Sequence, residues 1–191
     1  MLELEQAFVP FPLLETERLI LREITTDDAD AMFQIMSDPQ VMRYFGQSPL
    51  RDLDAAVQRI TRFIDELRAG RAIRWAVTLR ENGRYIGSCG YHTTLAKHFR
   101  AEIGYELAAE YWGRGFMPEA LRPVLDFGFH TMGLNSIEAQ IDPENSGSRR
   151  VLEKLGFVQE GLLRQSYYEP EHKRFTDTAI FGLLHQAHHR A

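Results

Sequence analysis

From Arg18 to Ile24 apolar and polar residues alternate with a period of two, the pattern of a strand with one buried face. Thr25 with Asp28 three residues on has the form of a capping box and predicts a helix over Thr26 to Met36, which Asp38-Pro39 ends. A second helix is predicted over about Leu53 to Ala69, where Leu53, Val57, Ile60, Ile64 and Leu67 recur at helical spacing and Gly70 stands where a left-handed cap belongs. Its polar face reads as solvated surface. Ile73 to Leu79 and Tyr85 to Thr93 read as strands joined by the hairpin signal Glu81-Asn82-Gly83, with a third strand, Ala101 to Leu107, beside them. Further on come a helix from Pro118 to Met132 closed by Gly133, a strand over Ser136 to Ile141, and a helix ending at Leu155 under a Gly156 cap. Strands over Phe157 to Leu162 and Phe175 to Leu183 follow, and Trp75 and Phe127 are core candidates. With no internal repeat, low-complexity tract or linker, the pattern predicts one mixed α+β domain over residues 1–191.

The link from the third strand to the next helix carries the most chemistry. It reads Tyr111-Trp112-Gly113-Arg114-Gly115-Phe116-Met117-Pro118-Glu119-Ala120-Leu121. Glycines let main-chain N–H groups approach an anion, and Pro118 at the first helical position aims the positive end of the helix dipole at it. This is how a pyrophosphate cradle is built. A Walker loop is excluded because no Gly-Lys-Ser/Thr follows, and a dinucleotide fingerprint because Pro118 replaces its third glycine.

About thirty residues on stands Asp142-Pro143-Glu144-Asn145-Ser146-Gly147-Ser148-Arg149-Arg150-Val151-Leu152-Glu153-Lys154-Leu155-Gly156-Phe157. With it the chain resembles the general-control-related N-acetyltransferases (GNAT), and within them the branch that acetylates ribosomal-protein N-termini. The resemblance runs from Glu15-Thr16-Glu17-Arg18-Leu19 through Ile103-Gly104-Tyr105-Glu106-Leu107 and the glycine loop to Phe181. Each motif is weak alone, and their order and spacing are specific. The resemblance implies a mixed, mostly antiparallel sheet whose central strand pair, Ala101 to Leu107 and Ser136 to Ile141, splays apart between flanking helices. Acetyl-coenzyme A would enter that wedge, with its pantetheine along Leu107, Ala108 and Ala109, whose main-chain groups are expected to lack a strand partner. Its pyrophosphate would meet the N–H groups of Gly113, Arg114, Gly115, Phe116 and Met117. Asn145 and Ser148 would face the pantetheine, Asn145 reading equally as an ordinary helix cap. Lys154 is either a solvated helix residue or a partner of the adenosine phosphate. Two residues depart from the family pattern. Glu110 stands where the loop normally begins with Gln or Arg, and is expected to point away from the phosphates. Pro123 lies inside the predicted helix, where it removes a hydrogen bond at a cost of about 3 kcal/mol.

Acyl transfer to an amine needs a base, an oxyanion donor and an acid. By the same resemblance the oxyanion donor is the main-chain N–H near Leu107 or Ala108, and the acid is Ser148, which reads otherwise as a first-turn helix cap. Tyr167 occupies the position where that branch can carry a glutamate base, leaving Glu102 and Glu169 as rivals. Glu102 acting through water is the preferred base, with Tyr167 shaping the acceptor pocket; Glu102 as a plain strand-surface charge fits equally. A weak base favours an α-amine, whose pKa of about 7.7 to 8.0 leaves a useful neutral fraction at pH 7, over lysine near 10.4. Arg43, Tyr44 and Phe45 fall where the family builds its acceptor wall, or else pack in the core.

Composition narrows the partners. A hydrophobic content of 44% and a charged content of 26% are those of an ordinary globular protein. The net charge of -5 argues against a general nucleic-acid binder and favours cationic acceptors. No apolar run approaches the length of a membrane span, and Met1-Leu2-Glu3-Leu4-Glu5 lacks a signal-peptide pattern, so a cytoplasmic address is expected. Cys89, the only cysteine, cannot form an internal disulfide and reads as a small packed residue. His185, His188 and His189 have a metal-like spacing without a second ligand pair, so a frayed tail and no metal are expected. Trp112 is expected to pack under the loop.

Three functions fit: acetyl-coenzyme A-dependent acetylation of a protein or peptide α-amine, the same chemistry on a polyamine, amino acid or aminoglycoside, or a coenzyme A-binding sensor module without catalysis. The resemblance also raises a homodimer.

Overall fold

In the computed structural model residues 7–169 and 173–188 are described. Eight strands form one sheet: β1 (Leu14–Glu15), β2 (Leu19–Glu23), β3 (Ile73–Leu79), β4 (Tyr85–Leu95), β5 (Arg100–Leu107), β6 (Ser136–Ile141), β7 (Val158–Glu169) and β8 (Arg174–Leu184). Their order is β1-β2-β3-β4-β5-β6-β8-β7. Every adjacent pair is antiparallel except β5 with β6. The mixed, mostly antiparallel α+β architecture expected from the sequence is present.

Alternation along β3 sends neighbouring side chains to opposite faces, and both faces are covered. Trp75 belongs to a core shared with α4 (Phe116–Asp126) and α5 (Ser146–Lys154). Ala76 belongs to a second core shared with α1 (Ala29–Met36), α2 (Pro39–Met42) and α3 (Leu53–Arg68). Each fully buried apolar side chain of the size of Leu21, Ile60 or Leu121 contributes about 1.5–3 kcal/mol. Trp75 packs edge-on against Phe127 at 5.3 Å, as its core assignment requires.

Boundaries differ from expectation where tertiary contacts decide them. Thr25 and Asp28 do form a capping box, and a short turn of tighter helix over Thr26–Asp28 precedes α1. Asp38 does not simply stop α1: its carboxylate accepts from the Gln40 N–H at 2.8 Å and opens the unforeseen α2. The helix of the glycine loop starts at Phe116, so Pro118 is its third residue rather than its first. It also ends as an α-helix at Asp126 and continues as a wider π segment over Phe127–Thr131. A π segment leaves room for an inserted group, and here the buried Tyr91 hydroxyl donates to the Val124 carbonyl at 2.9 Å. Gly128 makes that possible, since a Cβ there would lie 2.1 Å from the Tyr91 oxygen. The C-terminal histidines are no frayed tail. His185 and His188 lie on α6 (His185–His188), where His185 stacks on Phe129 at 5.2 Å and His188 Nε2 contacts Asp126 at 2.6 Å. His189 lies outside the described residues.

Gly128→Ala is therefore expected to lower stability by about 1–3 kcal/mol by overpacking. Tyr91→Phe should cost about 1 kcal/mol by stranding the Val124 carbonyl. Denaturant unfolding of both single variants and the double variant checks this. Removing the hydroxyl should offset part of the Gly128→Ala cost, so strictly additive losses would contradict the insertion.

Candidate active site

The parallel pairing of β5 with β6 has three rungs, Arg100↔Ser136, Ala101↔Ile137 and Glu102↔Glu138. Beyond Glu102 the strands part: β5 stays on β4 as far as Leu107, and β6 stays on β8 as far as Ile141. The parting opens a cleft of about 480 Å³, walled by β5, β6 and the first turn of α5 and closed at its far end by the segment before α3, by α3 and by β7. Glu102 sits at its vertex.

Backbone groups on the open edge of β5 are settled by one hydrogen bond. The Ala108 N–H donates to the Ile86 carbonyl at 2.8 Å. Donor directions alternate along an antiparallel ladder, so the N–H groups of Ile103, Tyr105 and Leu107 turn away from β4; that of Ile103 is used by the last rung with β6, and those of Tyr105 and Leu107 face the wedge. The expectation of free main-chain groups over Leu107, Ala108 and Ala109 is thus kept for the Leu107 N–H and corrected for Ala108 and for the Leu107 and Ala109 carbonyls. Ala108 is fully engaged, its carbonyl accepting from the Tyr111 N–H at 3.0 Å, and the Ala109 carbonyl accepts from the Trp112 N–H at 3.1 Å. The Leu107 carbonyl takes the Trp112 indole N–H at 2.8 Å, so Trp112, 44% exposed, ties the strand end to the loop instead of packing beneath it.

The glycine loop has the geometry of an anion cradle. Gly113 and Gly115 both have positive φ, of 72° and 79°, which favours glycine, and a Cβ on Gly113 would meet nothing within 4 Å. Among the described residues no hydrogen-bond partner falls to the N–H groups of Gly113 to Met117, and the first intrahelical donor is Glu119, to the Gly115 carbonyl at 3.2 Å. Pro118 has no N–H to strand. A carboxylate in that first turn would repel an anion, but Glu119 is taken up by the N-terminal motif. It accepts from the Thr16 hydroxyl at 2.6 Å, from the Arg18 N–H at 2.9 Å and from Arg18 Nε at 2.6 Å. Burial opposes its charge, yet these bonds win and hold the carboxyl below its ordinary value. Arg18 also lies over the Phe116 ring at 4.1 Å and donates to the Arg114 carbonyl at 3.2 Å. Glu110 pairs with Arg84 at 2.7 Å, which compensates its charge beside the loop.

The remaining predicted residues are partly brought together. Glu102, Asn145, Ser148 and Tyr167 all line the cleft, whereas Lys154 is exposed on the last turn of α5 and does not. Burial first, and then the Glu138 carboxylate opposite, push the Glu102 carboxyl above its ordinary value against the pull of Arg100. Its side chain is 22% exposed, so it is more than a surface charge. The Asn145 carboxamide oxygen accepts from the Ser148 N–H at 3.0 Å, so Asn145 is the helix cap and the Ser148 hydroxyl is not. The Tyr167 hydroxyl donates to the Gly46 carbonyl and bridges β7 to the segment before α3. Its aim comes from β7, where Arg164 to Ser166 bulge out between the Leu163↔Thr178 and Tyr167↔Thr176 pairs. Tyr44 and Phe45 line the cleft, as the acceptor-wall reading requires; Phe45 also packs on the second core, and Arg43 lies over the Tyr44 ring at 5.0 Å. Burial pushes the Cys89 thiol up to about 12, consistent with a small packed residue.

Several cleft residues escaped the sequence. Arg59 and Arg62 line it together with Phe63, so the polar face of α3 is only in part solvated surface. Arg74 and Glu106 form a buried ion pair, with side chains 8% and 2% exposed; Arg74 Nε also donates to the Ser88 hydroxyl at 2.6 Å, and that hydroxyl donates to Glu106. A charged residue flanked by apolar neighbours one position from the end of β3 and of β5 was the available signal. His92 is the extra residue of a β4 bulge between the Tyr91↔Ile103 and Thr93↔Glu102 pairs, and its ring fits where a Cβ on residue 104 would lie 2.9 Å from it. Burial, then Arg74 and Arg59, push its imidazolium down to about 4; with the side chain 44% exposed water offsets part of the burial, and the ring is neutral at pH 7. Tyr105 reaches across the wedge, its hydroxyl donating to the Ser148 carbonyl at 3.3 Å.

The parted strands, the open N–H groups of the loop and the intervening cleft fit the acyl donor implied by the sequence, and comparison with known proteins agrees. Residues 18–158 match the family model described as an acetyltransferase (GNAT) domain. The chain is 42% identical over 159 residues to the uncharacterized N-acetyltransferase YoaA of Bacillus subtilis (strain 168), covering 83% of this chain and 90% of that one. It is 40% identical over 171 residues to the uncharacterized N-acetyltransferase p20 of Bacillus licheniformis, covering 90% and 95%. The structure of Mycobacterium smegmatis RimJ in complex with CoA-disulfide superposes with a TM-score of 0.79 at 26% identity, covering 90% and 87%. By family match, identity and fold alike, the chain belongs to the GNAT family of N-acetyltransferases.

Proposed function

We propose that the protein transfers the acetyl group of acetyl-coenzyme A directly to an α-amine, as carried by a protein or peptide N-terminus. The observation that carries this reading is the parting of β5 from β6 beside a glycine loop with open N–H groups. In it the N–H groups of Gly113 to Met117 hold the pyrophosphate, and the β5 edge near Leu107 holds the pantetheine. Leu107, and Tyr105 one pleat nearer the vertex, offer N–H groups to the oxyanion as the amine nitrogen bonds to the thioester carbon and the C–S bond breaks. Glu102 takes the proton of the amine through water, and the raised affinity of its carboxylate for a proton improves it as a base. Ser148, whose hydroxyl lies against the Tyr105 hydroxyl, returns a proton to the departing sulfur.

Relatives differ in acceptor. One 25% identical, covering 89% of each chain, is named spermidine N(1)-acetyltransferase of Escherichia coli (strain K12). Arg59, Arg62 and Arg74 line the cleft, Arg74 already paired with Glu106, and so do Glu102, Asp142, Glu169 and Asp177, so the charge of the lining alone does not choose between a polycation and a peptide α-amine.

Three outcomes are expected. Gly115→Asp should abolish coenzyme A binding in titration calorimetry, because it places a charge and a side chain where the loop must meet the pyrophosphate; undiminished affinity would reduce the loop to a turn. Ser148→Ala should lower kcat more than it raises KM for acetyl-coenzyme A, at nearly unchanged melting temperature, whereas Asn145→Ala should cost about 0.5–2 kcal/mol of stability as the true cap. In steady-state assays of free thiol release, α-amine peptides should outpace lysine peptides at pH 7, since about 7.7 to 8.0 lies far nearer neutrality than 10.4. Glu102→Gln should lower kcat about 10²-fold, the low end for a general base. As pH falls, activity should be lost first through protonation of the amine and then through Glu102, above the ordinary carboxylate range. No thiol release with any amine would leave only the sensor reading.

A further inference from the structure

At the far end of the cleft Arg59 forms no ion pair among the described residues, although Glu169 and Asp177 also line the cleft. Arg59, Arg62 and Phe63 lie on one face of α3 and line the cleft there. The Arg59 guanidinium sits over the rings of Phe45 and Phe63, at 5.5 and 5.3 Å, and its Nη1 donates to the Gln47 carboxamide oxygen at 3.2 Å. Its Nε is buried with no hydrogen-bond partner. Glu106 attracts it, but both oxygens of that carboxylate are already engaged, by Arg74 and by Ser88. Burial, with Arg74 and Arg62 nearby, lowers the proton affinity of Arg59 against the pull of Glu106 and Tyr85. Desolvating a guanidinium without a carboxylate is costly, and the cost is recovered only when an anion arrives.

That anion is not the pyrophosphate assigned to the glycine loop, since none of Gly113 to Met117 lines this cleft. The acceptor must bring it. A planar, forked donor on aromatic walls fits a carboxylate in two-pronged fashion. We propose that Arg59 reads a carboxylate on the acceptor, so that the preferred substrate is a short peptide whose α-amine has a carboxylate close by. This rests on the acetyl-transfer reading and narrows its acceptor.

The test pairs dipeptides with their C-terminal amides at saturating acetyl-coenzyme A. The wild-type protein should show a KM about tenfold or more lower for the acid. In Arg59→Gln that ratio should fall to about one, and in Arg59→Lys, which keeps the charge but not the fork, it should be intermediate. The melting temperature of Arg59→Gln should not fall, because the variant removes a desolvated, unpaired charge. Equal KM values for acid and amide in the wild type, or a preference that survives Arg59→Gln, would overturn the proposal. Calorimetry of the same acid and amide on the coenzyme A-loaded protein separates it from the reading beneath it. Acid-selective, Arg59-dependent binding without turnover would sink acetyl transfer alone; turnover without acid selectivity would sink the carboxylate site alone.

Discussion

A β-sheet can open along its length only if both new edges are held from behind, and this constraint organises the protein. β5 remains hydrogen-bonded to β4 down to Leu107, and β6 to β8 down to Ile141, while the rungs below the parting are stitched by the Arg100–Glu138 ion pair at 2.9 Å. The Arg74, Ser88 and Glu106 side chains span β3, β4 and β5 and bind the wall of the wedge to the sheet. Gly87 and Gly90 permit the close strand approach this needs: a Cβ on either would fall 2.2 Å from a facing carbonyl oxygen. What remains is a row of N–H groups with no strand opposite, and unpaired buried donors are costly unless a ligand or water meets them.

The electrostatics follow the same division. Negative charge near the glycine loop is bound to arginine, Glu119 to Arg18 and Glu110 to Arg84, so the open N–H groups face no free carboxylate from these residues. At the vertex the arrangement is reversed, with Glu102 and Glu138 opposite each other on the last shared rung and a single arginine, Arg100, paired with one of them. Burial first, and then the like charge of Glu138, raise the proton affinity of Glu102, which suits the base role proposed for it. The proposed phosphate-binding region and the proposed proton acceptor are thus kept apart along one strand.

Much of this was legible in the chain. The glycine loop, the hairpin signal between β3 and β4 and the capping box at Thr25 are local features, and they survive folding because nothing distant competes with them. The failures share a cause. Periodicity says which residues share a helix face but not what stands opposite, so Arg59 looked solvated. Bulges answer to cross-strand pairing, so the placement of His92 and the aim of Tyr167 had no local signature. Whether the Ala108 N–H was free depended on which way the β4–β5 ladder alternates, a single parity that the sequence does not carry. The π segment depended on Tyr91, more than thirty residues away, entering beside Gly128.

These departures from local rules cluster around one cleft. His92 on a bulge, like charges at Glu102 and Glu138, and a guanidinium at Arg59 with a buried unpartnered nitrogen each lower the stability of the chain as it stands. A sequence selected for folding alone would remove such features, and the two packed cores show that it is otherwise consistent from strand to helix. Strain concentrated in one place, with its unmet donors and charges pointing into the same space, is what a binding site looks like before its ligands are present. The donors on β5 and the glycine loop match the family's acyl donor, so the unmet charge at Arg59 is left to describe the acceptor.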